Sequence, residues 1–95
     1  MMARQKSRSC VLDGAVLRDA AAVYRKLGEA FAAPAYFGHN PDALWDAITE
    51  YHGEPVDIVW RHSAQSAARL GVAFEQIVAV LQRAEESGRV KLRVE

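Results

Sequence analysis

Ninety-five residues, 51% of them hydrophobic and 25% charged, make one compact domain, because chains divide into separate cores only well above this length. Twelve Lys and Arg balance twelve Asp and Glu, so the chain lacks the basic footprint through which free nucleic acid is recruited. The single cysteine, Cys10, permits neither an internal disulfide nor a multi-cysteine metal cluster and makes a reducing compartment, the cytoplasm, the natural setting. No apolar run approaches the roughly 18 residues that cross a bilayer.

Residues 1–9 carry Arg4, Lys6 and Arg8, but no apolar stretch follows as a signal peptide requires. They read as a basic, poorly ordered extension before a single domain spanning 10–95. Cys10-Val11-Leu12 is a short strand stopped by the turn pair Asp13-Gly14. Asp19 can cap a helix in which Ala20, Val23, Tyr24, Leu27 and Phe31 recur at three- and four-residue spacing. That helix ends before Pro34, with Gly28 a weak point inside it. After a loop over residues 34–38, Asn40 caps and Pro41 opens a second helix that reaches Tyr51.

His52-Gly53-Glu54-Pro55 breaks this helix, and Val56-Asp57-Ile58-Val59-Trp60 is a second strand, rich in β-branched and aromatic residues. Ser63 to Leu70 is a short Ala-rich helix closed by Gly71. Phe74, Ile77, Val78, Leu81 and Ala84 mark one face of a longer helix that Gly88 terminates. Val90, Leu92 and Val94 alternate with charged residues, as in an edge strand with one buried face. Strand, helices, strand, helices, strand describes an α/β fold: a small three-stranded parallel sheet flanked by helices, joined by right-handed crossovers.

The neutral total hides a division. Residues 1–30 hold six basic and three acidic groups, and residues 61–95 hold six and four, whereas residues 31–60 contain Asp42, Asp46, Glu50, Glu54 and Asp57 with no Lys or Arg. On a helical wheel Leu44, Ala47, Ile48 and Tyr51 form the core-facing stripe, and Asp42 and Asp46 point away from it. Thr49 lies beside them, with Trp45 and Glu50 flanking. Two aspartates four residues apart repel by about 0.2–0.5 kcal/mol, and the helix holds no cation to relieve them. An acidic helix face is commonly just solvated, and Asp42 in the first turn suits the helix dipole. Trp45 beside the carboxylates, preceded by Tyr36-Phe37-Gly38, points instead to a protein-binding surface.

Two chemical alternatives are weaker. His39, Asp42 and Asp46 share one side of the helix start as a candidate metal set for a small metal-dependent enzyme, but hard cations need more oxygens and zinc needs further firm ligands. Paired carboxylates for acid–base work need a pocket and separated pKa values. His52 and His62 sit next to turns, where exposure is expected. Ser63 lacks a nucleophile elbow and no Gly-rich phosphate loop occurs. Catalysis, a cofactor and a bound metal are therefore not expected.

The run Pro34-Ala35-Tyr36-Phe37-Gly38-His39-Asn40-Pro41-Asp42-Ala43-Leu44-Trp45-Asp46-Ala47-Ile48-Thr49 closely resembles the loop and second helix of the barstar family, intracellular inhibitors of barnase-type bacterial ribonucleases. Val59-Trp60-Arg61 and the helix closing at Gly88 before a strand extend the resemblance to nearly the whole chain beyond residue 9. The resemblance implies a non-enzymatic inhibitor that plugs the active site of a basic, secreted, guanyl-specific microbial ribonuclease, protecting the producing cell; the sequence does not set its oligomeric state, and a monomer is assumed. Asp46 would enter the phosphate site. Asp42 would add a second carboxylate, Tyr36 would cover the catalytic histidine, and Gly38, Asn40, Trp45, Thr49 and Tyr51 would supply surrounding contacts. Arg83 departs from the pattern, standing where the family's inhibitor of barnase has an acidic contact. His39 and Pro41 also differ in the loop. A barstar-like module that binds some other basic protein stays open beside the ribonuclease reading.

Overall fold

A computed structural model describes residues 8–34 and 37–95. In chain order the elements are β1 (Ser9–Asp13), α1 (Ala20–Ala30), α2 (Pro41–Glu50), β2 (Val56–Arg61), α3 (Ser63–Leu70), α4 (Val72–Glu86) and β3 (Val90–Val94). The sheet is parallel throughout and ordered β1-β2-β3. Both crossovers step in the same direction, and two right-handed crossovers of that kind set their helices on the same face of the sheet. Burial agrees. Cys10 and Leu12, then Val56, Ile58 and Trp60, then Val90 form the covered face. Val11, Arg61, Lys91 and Arg93 on the other face are exposed. The flanking helices expected from the sequence thus cover one side only.

In-register pairs Cys10 with Ile58 and Leu12 with Trp60 seat the first strand on the second, and Val56 with Val90 seats the third. Val23 and Leu27 of α1, Leu44 and Ile48 of α2, and Ile77, Leu81 and Ala84 of α4 are each fully buried above this floor. Burial also pushes the Cys10 thiol up from its ordinary range, with Lys26 lowering and Glu29 raising it by smaller amounts. A thiol so placed is a poor nucleophile near neutral pH.

Several boundaries differ from the sequence reading. β1 takes in Ser9, which pairs with Asp57, and the Arg8 carbonyl accepts from the Asp57 N–H at 2.9 Å. α4 begins at Val72, directly after Gly71 at φ +57. That positive φ, which glycine adopts without a Cβ penalty, lets one residue both close α3 and open α4. Along β3 burial fades instead of alternating. Val90 is buried and Leu92 half-buried, but Val94 is 46% exposed, since an edge strand has a neighbour on one side only. Gly14 follows β1 for a different reason from its turn chemistry: a Cβ there would collide with the His62 carbonyl and the Ser66 hydroxyl. His52 and His62 are exposed, as their places beside turns imply.

Candidate functional site: the outer face of the second helix

The outer face of α2 is fixed at its start. Asn40 has extended backbone (φ −151, ψ 164), and its side chain accepts from the Ala43 N–H at 2.8 Å. Pro41 occupies the first turn, where its missing N–H is no loss. Replacing Asn40 by Ala is expected to lower unfolding free energy by about 1 kcal/mol, read from urea denaturation of the two proteins. Leu44 and Ile48 then anchor the inner side. Asp42, Asp46 and Glu50, at four-residue intervals, are left exposed in a row. Among the described residues, no Lys, Arg or His comes within 4.0 Å of any of these three carboxylates.

The loop before α2 is held by α1. A Cβ on Gly28 would stand 2.9 Å from the Phe37 ring, so the glycine that weakens α1 as a helix is what lets Phe37 lie against it. His39 stacks on Tyr24 with centroids 6.0 Å apart and planes 5° apart, and meets Phe37 edge-on at 6.0 Å. Burial pushes the Tyr24 hydroxyl up from its ordinary range. Gly38 allows the loop to close over the helix start, since a Cβ there would sit 3.0 Å from Asn40 Nδ2. A cavity of about 300 Å³ results, bounded by Pro34, Phe37, Gly38, Ala43 and Ala47 with Asp46 and Glu50 at its polar edge. Such a cleft suits a basic side chain whose stem packs on apolar atoms while its head meets carboxylates.

The remaining expected site residues fall into two groups. Thr49 is half-buried, its hydroxyl donating to the Asp46 carbonyl at 3.1 Å. The Thr49 carbonyl accepts from Arg89 at 3.3 Å, giving the C-terminal end of α2 the cation its own last turn lacks. Tyr51, the residue after α2, turns back onto Phe31 in an edge contact with centroids 5.7 Å apart, and Arg8 lies 5.6 Å from its ring centre. Trp45, expected as an exposed aromatic, is half-buried against the core, and the Arg83 guanidinium carbon stands 3.9 Å from its ring centre. Tyr36 lies outside the described residues.

The metal alternative gains nothing from this arrangement. His39 is engaged by Tyr24 and Phe37, and among the described residues no group of three or more His, Cys, Asp or Glu is placed to hold a metal ion. Glu50, which the helical wheel set beside the outer face, and Phe37, one of the loop aromatics, both border the cleft, whereas Ala47, expected on the core-facing stripe, is half-buried and lines the cleft as well. The four-residue step from Asp46 was the available signal for Glu50.

A family model described as Barstar (barnase inhibitor) matches residues 7–95. The chain belongs to the barstar family. It is also 26% identical over 87 residues, covering 92% of this chain and 96% of the relative, to a Bacillus subtilis (strain 168) protein named "Putative ribonuclease inhibitor YrdF". In this barstar-family chain α2, which carries Asp42, Asp46 and Glu50 on its exposed side, packs against α1 and α4. None of the described helices is long and apolar enough to cross a membrane.

Proposed function

We propose that this barstar-family protein is a non-enzymatic, cytoplasmic inhibitor of a basic, secreted, guanyl-specific microbial ribonuclease, and that the outer face of α2 enters the enzyme's active site in place of RNA phosphate. The observation that carries this reading is the exposed row Asp42, Asp46 and Glu50, free of cationic partners among the described residues and bordering a cleft. Three carboxylates held on a capped helix present negative charge in a fixed pattern. A cleft built from Arg, Lys and His to grip phosphate receives that pattern without a bond to cleave. A helix already capped at Asn40 and anchored by Leu44 and Ile48 lowers the entropy lost on association.

The test is titration of the protein into a barnase-type guanyl-specific ribonuclease while RNA cleavage is followed. Stoichiometric loss of cleavage is expected. Complementary fields also accelerate encounter, so the association rate should fall by about tenfold or more as ionic strength is raised from low to physiological, measured by stopped-flow fluorescence. Full cleavage at excess protein rejects the ribonuclease reading. A salt-independent rate rejects the electrostatic part of the mechanism. The barstar-like module that binds another basic protein is distinguished by capture of a basic, non-nuclease partner together with failure to inhibit.

A further inference from the structure

Arg83 lies in the last turn of α4 and is exposed. Its guanidinium is in contact with the indole face of Trp45, at 3.9 Å from the ring centre. Trp45 precedes Asp46 in α2 and follows Asp42 by three residues, so the stacked cation stands beside the acidic row. Among the described residues no carboxylate lies within 4.0 Å of Arg83; the ion pair that does form is between Arg93 and Glu95, at 3.6 Å, on β3 and just after it. Stacking satisfies the flat face of a guanidinium and leaves its N–H groups, which lie in its plane, available. Arg83 is thus oriented by the fold while its charge is not taken up by a carboxylate of the described chain. Residues 31–60 contribute no Lys or Arg, so the cations at this face come from other parts of the chain, with Arg89 already hydrogen-bonded to the Thr49 carbonyl.

We propose that Arg83 is a specificity-determining residue: stacked on Trp45, it makes the α2 surface two-signed and selects a ribonuclease with a basic cleft and a carboxylate on the rim that faces α4. An enzyme whose rim is basic throughout meets a like charge there, and like-charge juxtaposition is how interfaces exclude wrong partners. The inference rests on the ribonuclease reading above.

Barnase itself serves as the probe, in two forms: the unaltered enzyme, and a variant in which a Lys or Arg on the rim of its cleft is replaced by Glu. Inhibition constants are measured for the wild-type inhibitor and for Arg83→Lys, Arg83→Met, Arg83→Glu and Asp46→Ala. The ratio of the constants for the two enzyme forms is the readout. Wild type and Arg83→Lys should favour the Glu form by about tenfold or more, Arg83→Met should show little preference, and Arg83→Glu should favour unaltered barnase. Arg83→Met keeps apolar packing on Trp45, so a purely structural Arg83 predicts one ratio for all four proteins. That result, with Asp46→Ala still weakening inhibition of both enzymes, overturns the specificity role and leaves the ribonuclease reading standing. Failure of the wild type to inhibit either enzyme overturns both for barnase-type targets. Far-ultraviolet circular dichroism confirms folding, and Arg83→Lys against Arg83→Met decides the matter if the Glu variant does not fold.

Discussion

Asp46→Ala is expected to weaken inhibition of a barnase-type ribonuclease by about 2–5 kcal/mol or more, a magnitude established with barnase and barstar themselves. That range corresponds to about 30-fold to about 5,000-fold in the inhibition constant. The reason lies in what remains behind. With Asp46 removed, the enzyme's phosphate-binding cations stay buried in the complex without a counter-charge, and an uncompensated buried charge costs more than the pair contributes. Asp46→Asn should lose nearly as much, because it keeps the shape and removes the charge. Loss of affinity in Ala but not in Asn would assign the effect to packing and reject phosphate mimicry. The two outer carboxylates behave differently on the inhibitor's own stability. Asp42 sits in the first turn, where its charge suits the helix dipole, so Asp42→Ala should weaken both binding and the fold, the latter by about 0.3–1 kcal/mol. Glu50 sits in the last turn, where the dipole opposes it. Glu50→Gln should therefore weaken inhibition while leaving the fold unchanged or slightly firmer, a sign of a residue kept at the expense of stability.

Local signals carried most of the fold. Asp19 and Asn40-Pro41 announce the starts of α1 and α2 through cap chemistry that involves only the next three residues, and the Asp19 and Asn40 side chains cap as expected. The apolar stripe of Leu44 and Ile48, and the outward direction of Asp42 and Asp46, follow from the helical period alone. What the sequence does not disclose is set by residues far apart in the chain. Arg83 reaches Trp45 across 38 positions only because α4 packs on α2, and this converts an expected exposed aromatic into a half-buried support for a cation. His39 looks like a ligand beside Asp42 in one dimension, but in three it belongs to Tyr24 and Phe37. Gly28 reads as a flaw in α1 until Phe37 is seen lying on it. The uncovered sheet face follows from strand order, which the pattern of strands and helices leaves open between neighbouring and interleaved arrangements.

The largest expected effect on stability comes from the end of β2. Trp60 is fully buried, its indole N–H donates to Ser66 Oγ at 2.8 Å, and Phe74 meets its ring edge-on at 5.0 Å. Ser66 is itself wholly buried, so neither polar group has water to fall back on. Trp60→Ala should cost about 3–5 kcal/mol through lost burial and the resulting cavity. For a domain whose whole stability is about 5–15 kcal/mol, that leaves little folded protein at elevated temperature. Ser66→Ala should cost about 1–3 kcal/mol by orphaning the indole N–H, although it removes a single oxygen. Trp60→Phe reverses the situation, orphaning the hydroxyl and shrinking the ring. Once Phe is in place, Ser66→Ala removes a group that no longer has a partner, so the double variant should be more stable than the two single losses summed, by about 0.5–3 kcal/mol. Urea unfolding of the four proteins gives the cycle. Simple additivity would show that the hydrogen bond contributes nothing beyond packing. Trp60 is on β2, apart from the outer face of α2, so the fraction that stays folded should inhibit with an unchanged constant; a weaker constant in the Trp60→Phe protein would mean that the sheet end and the acidic helix are coupled.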